Sequence, residues 1–170
     1  MSEIAYEVRG FLTVRRDSLR VPLSGSLAVY AEPDSGLFSG DLMLRRSVIG
    51  RTVLGASLVS ATVQITAESP VIGRIDHEGR LFAAVVVDAV ITDVRAAGRG
   101  WLSGGSCRTT THAVVPLRSK PGFNLDRGGR VTGRYHRPPV TGCGWITPLV
   151  NLLVAGPGNA VAIDLIPRTS

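Results

Sequence analysis

Leu19-Arg20-Val21-Pro22-Leu23-Ser24-Gly25-Ser26-Leu27-Ala28-Val29-Tyr30 alternates with hardly a slip. Leu19, Val21, Leu23, Gly25, Leu27 and Val29 fall on one face, and Arg20, Ser24, Ser26 and Tyr30 on the other. A period of two is that of a strand whose neighbouring side chains point to opposite sides. One apolar and one polar face mark an antiparallel sheet with one side wet. Pro22 lacks an N–H, which predicts an edge or irregular position for it.

The pattern recurs on both sides of this segment. Ile4, Tyr6 and Val8 alternate with polar residues before Gly10 interrupts Phe11–Val14, which predicts a bulge. Glu32-Pro33-Asp34-Ser35-Gly36 is turn chemistry and leads into Phe38–Leu44, which alternates again. Arg45–Gly55 is less regular and reads as a loop or a bent strand. Val59, Ala61, Val63, Ile65 and Ala67 mark a further strand, closed by Glu68-Ser69-Pro70. Val71–Ile75, a hairpin turn at Asp76-His77-Glu78-Gly79, and Leu81–Ile91 follow. The last is apolar on both faces and rich in valine, so it is expected to be a central strand covered on both sides. Ala96–Gly105 is a glycine-rich loop with Trp101-Leu102 at its tip, and Cys107–Leu117 alternates once more.

Val131–Ile166 carries the one helix candidate. A strand leads into a proline turn and Thr141-Gly142-Cys143-Gly144-Trp145, then a short helix over Pro148–Val154. Thr147 is placed to cap it, Pro148 occupies the first turn, and Gly156 stops it. A Gly-Pro-Gly-Asn turn and a last strand over Ala160–Ile166 complete the chain. Ile146, Leu149, Val150 and Leu153 recur at helical spacing, and Leu152 and Val154 widen the apolar surface. Such a helix is expected to plug one end of the fold or to line a cavity. No fixed-period repeat is present, and turn signals return roughly every eight to fifteen residues. The expectation is one all-β domain over residues 1–170, an antiparallel β-barrel or β-sandwich with one short C-terminal helix.

With 170 residues, 44% of them hydrophobic and 19% charged, the chain has enough apolar material for a core and is not disordered. The apolar run Val140–Val161 is broken by Pro148, Gly156, Pro157 and Gly158, which argues against a membrane-spanning helix. The net charge is +6 and, apart from Lys120, the positive charge is arginine. Arginine codon bias accounts for this as well as an anionic partner would. The arginines form no run, and four Phe, three Tyr and two Trp leave few rings to stack on bases, so nucleic acid is not an expected partner. Met1-Ser2-Glu3-Ile4 shows no basic segment followed by an apolar one. The chain is then either cytoplasmic or stripped of a signal peptide.

Catalytic motifs are missing: no G-x-S-x-G, no H-E-x-x-H and no phosphate-binding loop. Cys107 and Cys143 lie among glycines at element edges, and their even count favours a disulfide over two buried thiols. His136 or His112 beside Cys143 would be a nucleophile pair only if that disulfide were absent. His77, His112 and His136 show no ligand spacing, so neither a metal nor a cofactor is expected. Asp88 and Asp93, in the most apolar strand region, are expected to be ion-paired with Arg95 or Arg99.

Several segments resemble a group of small actinobacterial exported β-proteins. They are G-x-x-C-R-T ending at Thr109, V-T-G-R-Y at 131–135, T-G-C-G-W at 141–145, L-V-N-L-L-V-A-G-P-G-N at 149–159 and A-I-D-L-I-P at 162–167. L-S-G-S-L-A-V at 23–29 and S-G-L-F-S-G-D-L-M-L at 35–44 extend the likeness. The resemblance implies an extracellular or envelope location with Cys107 and Cys143 paired, and it supplies no catalytic residue. The expected function is non-enzymatic binding of an apolar ligand such as a lipid, held by Trp101, Trp145, Leu149, Leu152 and Leu153. The basic surface would face an anionic membrane or a cell-wall polymer. The alternative is a structural or adhesion module with a filled core that binds protein or glycan partners.

Overall fold

A computed structural model describes residues 2–14, 19–53, 56–96, 99–100, 107–144, 147, 151 and 156–168. The period-two segments become strands throughout. In chain order they are β1 (Ser2–Val14), β2 (Leu19–Ala31), β3 (Leu37–Leu44), β4 (Ser47–Val53), β5 (Ala56–Ala67), β6 (Val71–Ile75) and β7 (Leu81–Ala96). There follow β8 (Arg99–Gly100), β9 (Cys107–Thr109), β10 (Ala113–Ser119), β11 (Gly129–Arg137), β12 (Val140–Thr141) and β13 (Gly156–Pro167).

Eight of them close into an antiparallel barrel in the order β1-β2-β3-β6-β7-β10-β11-β13, with β13 returning to β1. Closure decides between barrel and sandwich. The strand β7 is long enough to serve twice. Its first half pairs β6 and β10, and its second half pairs β5 and β9. The β4–β5 hairpin continues the wall where β3 and β6 leave off. Within the irregular segment, Ser47–Val53 is thus a strand after a corner. At that corner the Arg45 N–H donates to the Ser24 carbonyl at 2.8 Å, and the Ser47 hydroxyl donates to the Pro22 carbonyl. The β2–β3 ladder ends at Gly25–Leu44, so Pro22 has β1 alone as a ladder partner and its missing N–H costs nothing there.

Two expectations are corrected. Gly10 is not a bulge: it pairs in register with Leu23 on one side and Ile163 on the other. A Cβ there would stand 2.0 Å from the Ala162 carbonyl oxygen. The residue is glycine because a tightly coiled neighbour passes over its inner face. The run Leu81–Ile91 is central, since it pairs along both edges, but it is not covered on both faces. Leu81, Val85, Ala89 and Ile91 are buried, whereas Ala84 is exposed and Val86, Asp88 and Val90 are half-buried on the outer side.

The barrel is filled. Tyr6, Val8, Val29, Val71, Leu81, Val131, Ile163 and Leu165 pack at one end, and Val21, Val63, Ile91, Ala113 and Val115 toward the other. The β10–β11 loop closes the first end by turning Phe123 inward against the wall, with the Tyr6 hydroxyl donating to the Leu125 carbonyl. The Phe123 N–H donates to the Gly79 carbonyl at 2.8 Å, which pins that loop to the β6–β7 hairpin. The helix expected over Pro148–Val154 lies outside the described residues, except for Asn151. The Asn151 side chain accepts from the Val140 N–H at 2.6 Å and donates to the Val140 carbonyl at 3.0 Å, mimicking a strand partner for β12. Thr147 donates its hydroxyl to the Gly144 carbonyl at 2.8 Å. Gly156–Asn159, expected as a turn, already belongs to β13. The register slips there, and Asn159, fully buried, donates to the Gly156 carbonyl at 2.8 Å.

Candidate functional site

Of the residues expected to form a site, Trp101, Trp145, Leu149, Leu152 and Leu153 lie outside the described residues. Cys107 and Cys143 form a disulfide, with both residues buried and their Cα atoms 4.4 Å apart. The bond ties β9 to the segment after β12 and withdraws both sulfurs from nucleophilic chemistry.

Asp88 does not pair with Arg95. It faces outward and meets the His112 Nδ1 at 2.7 Å, while Arg95 lies 3.8 Å from Asp93. Outward placement removes the burial cost that had suggested a guanidinium partner. Glu68, at the break between β5 and β6, brings a third ligand-type atom, and the three lie within 4.8 Å of one another. One imidazole and two carboxylates suit a divalent cation chemically, but Glu68 and His112 are exposed. They meet from strand β7 and from two connections, the β5–β6 break and the segment before β10, so no local spacing announced the group.

Among the described residues a broad concavity lies on the outer wall. A groove of about 550 Å3 runs over β11 and β13, lined by Thr13, Pro116, Arg118, Thr132, Arg134 and the small residues between them. A second, of about 340 Å3, shares Arg118 and Thr132 with it and adds Lys120 and Arg130. Its origin is steric. Ala160 and Ala162 are the outward residues of β13 under the groove, so the floor is low. Pro116 cannot donate to a ladder, and its carbonyl oxygen lies 1.9 Å from where a Gly133 Cβ would be. Only glycine lets β10 lean over β11 in this way.

The charges around the groove are not equivalent. Arg130 is committed to a two-point pair with Asp164, both contacts at 2.8 Å, which holds the Asp164 carboxyl below the usual carboxylate range. Arg118 and Arg134 have no carboxylate within ion-pair distance among the described residues. Arg118 is held upright instead: its guanidinium lies 5.9 Å from the Phe82 ring centre, and Arg74 approaches the same ring at 5.7 Å. Arg74, Phe82 and Arg118 are direct cross-strand neighbours on β6, β7 and β10. The ring therefore orients two cations without neutralising either.

Among the described residues the interior holds one unexpected charge. Val131, Gly133, Tyr135 and Arg137 share the inner face of β11, and Arg137 is only 6% exposed. It lines a cavity of about 40 Å3 with Tyr135, Thr109 and apolar neighbours. Burial pushes the Arg137 guanidinium below its ordinary value and raises the Tyr135 hydroxyl to about 12. Alternation along β11 carried the signal for Arg137: an arginine in the apolar phase of a strand.

No family model, curated protein or solved structure matches this chain.

Proposed function

We propose that the protein is a non-enzymatic binding module of the cell envelope whose outer groove takes an anionic glycan chain. The carrying observation is the pair Arg118 and Arg134, flanking a floor of alanine and threonine with no carboxylate partner among the described residues. Guanidinium groups match carboxylate or phosphate in two-point hydrogen bonds. The Thr13 and Thr132 hydroxyls offer bonds to sugar hydroxyls, and the low floor admits a ring. The disulfide supports an oxidising compartment. Carriage of a lipid inside the barrel gains no support from the described interior. Its cavities of about 30 and 40 Å3 are an order of magnitude below the roughly 300–1,000 Å3 of a ligand pocket.

Isothermal titration with polygalacturonate, phosphorylated dextran and neutral dextran tests the proposal. One or both polyanions should bind and dextran should not, and the stronger of the two identifies the acidic group. Arg118→Gln with Arg134→Gln should weaken binding about a hundredfold, the scale of two charge-assisted contacts. Binding unchanged in the double variant, or binding to none of the chains, rejects the groove as the site.

A further inference from the structure

We propose that Glu68, Asp88 and His112 bind a divalent transition-metal ion of the zinc type on the outer wall of the barrel. One rung of the sheet brings them together. Val87 pairs with Ala67 of β5 on one side and with Ala113 of β10 on the other. Glu68, Asp88 and His112 are the chain neighbours of these three residues. A step of one along a strand turns the side chain to the opposite face. Val87 and Ala113 line the interior, so Asp88 and His112 project outward beside each other, with Glu68 diagonal to Asp88. The Glu68 N–H donates to the Val86 carbonyl at 2.8 Å, which fixes its backbone against β7.

The donor set has both the composition and the spacing of a metal site. The three ligand atoms lie within 4.8 Å of one another, and the His112 Nδ1 and an Asp88 carboxylate oxygen are 2.7 Å apart. Donors bound to a tetrahedral zinc ion stand about 3.4 Å from each other, between those two separations. The exposed Glu68 side chain closes the remainder by a change of rotamer. Among the described residues no arginine or lysine lies within ion-pair distance of Glu68 or Asp88. No fixed cation therefore offsets the repulsion between the two carboxylates. The imidazole selects zinc, copper or nickel over calcium and magnesium, which take oxygen ligands. The ion replaces the proton held between Nδ1 and the carboxylate, and the ring keeps its proton on Nε2. Exposure of Glu68 and His112 gives the ion access from solvent.

The site shares no residue with the outer groove, and its test is separate. Isothermal titration of zinc chloride into the chelator-treated full chain should show saturable binding of one ion, tighter than that of calcium or magnesium. His112→Ala, Asp88→Asn and Glu68→Gln should each weaken it more than about tenfold, since loss of even an outer partner of a metal ligand costs that much. His77→Ala, His136→Ala and the double variant Arg118→Gln with Arg134→Gln should leave it unchanged. Circular dichroism checks that each variant folds. If one does not, nuclear magnetic resonance of the isotope-labelled wild-type chain carries the question. Zinc should shift the ring-nitrogen resonances of His112 before those of His77 or His136, and the opposite order overturns the site. Absence of saturable zinc binding overturns it as well, as does binding that survives His112→Ala. Calcium bound more tightly than zinc overturns the transition-metal assignment.

Discussion

Tyr6 and Tyr135 stand at opposite ends of the barrel interior, and burial raises both hydroxyls to about 12; a nearby Asp126 adds to the effect at Tyr6, and Arg137 opposes it at Tyr135. In the unfolded chain a tyrosine ionises near its model value of 10.0. A folded pKa above the unfolded one means stability that is complete below about 10 and is lost as pH rises toward 12. Absorbance at 295 nm against pH should therefore show two of the three tyrosines lagging, with their ionisation coinciding with loss of circular dichroism. Tyr135→Phe should shift the alkaline unfolding midpoint upward. Ionisation of all three tyrosines before any loss of structure would contradict this. At this scale the sequence was partly legible. Tyr6, Val8 and Leu12 announce their face through alternation. Tyr135 and Arg137 do so too, but polar side chains in the buried phase read as irregularity until the wall around them is known. Asp88 shows the complementary limit: an apolar neighbourhood in sequence does not mean burial, and its side chain points outward to His112.

Among the elements, the short β9 and β12 are the least self-sufficient. They pair with each other at Val140–Thr109 and Thr141–Arg108, and β9 reaches the barrel through two residues of β7. The Cys107–Cys143 bridge closes a span of 36 residues around them. Loop-closure entropy puts its contribution at about 4 kcal/mol, more than so few ladder bonds supply. Replacing both cysteines by alanine should lower the unfolding free energy by roughly 3–4 kcal/mol, as read by urea denaturation, and should expose the segment 107–112 to rapid amide exchange. A loss below about 1 kcal/mol would mean that β9 and β12 hold without the bridge. Strand existence was legible nearly everywhere, because each strand carries its own period. Strand continuation was not. The way β4 takes over from β3, and β5 from β6, depends on the Arg45 corner and the break at Glu68–Pro70. Such corners are set by partners distant in sequence, and no window of residues contains both.

For the molecule as a whole, the barrel is built from distant pairings. The β1–β13 ladder joins Tyr6 with Pro167 and Thr13 with Ala160, and β10 skips back to β7. High separation between paired segments slows folding, since loop entropy is lost before contacts form. Refolding of the disulfide-intact protein should fall in the millisecond-to-second range, measurable by stopped-flow circular dichroism. Full recovery of structure within microseconds would refute that. The choice of barrel over sandwich was out of reach of the sequence for the same reason: both use the same alternating strands, and only the pairing of the outermost two distinguishes them.

That pairing also bears on how the chain is made. A ribosome releases β1 long before β13, so one edge of the earliest strand has no mate while more than a hundred residues are still being added. Closure is therefore an event of the finished polypeptide, and until then both lips of the wall are open templates for strands of other chains. The feature that makes the mature wall free of edges in its closed part is the one that leaves the nascent protein dependent on being kept apart from its neighbours.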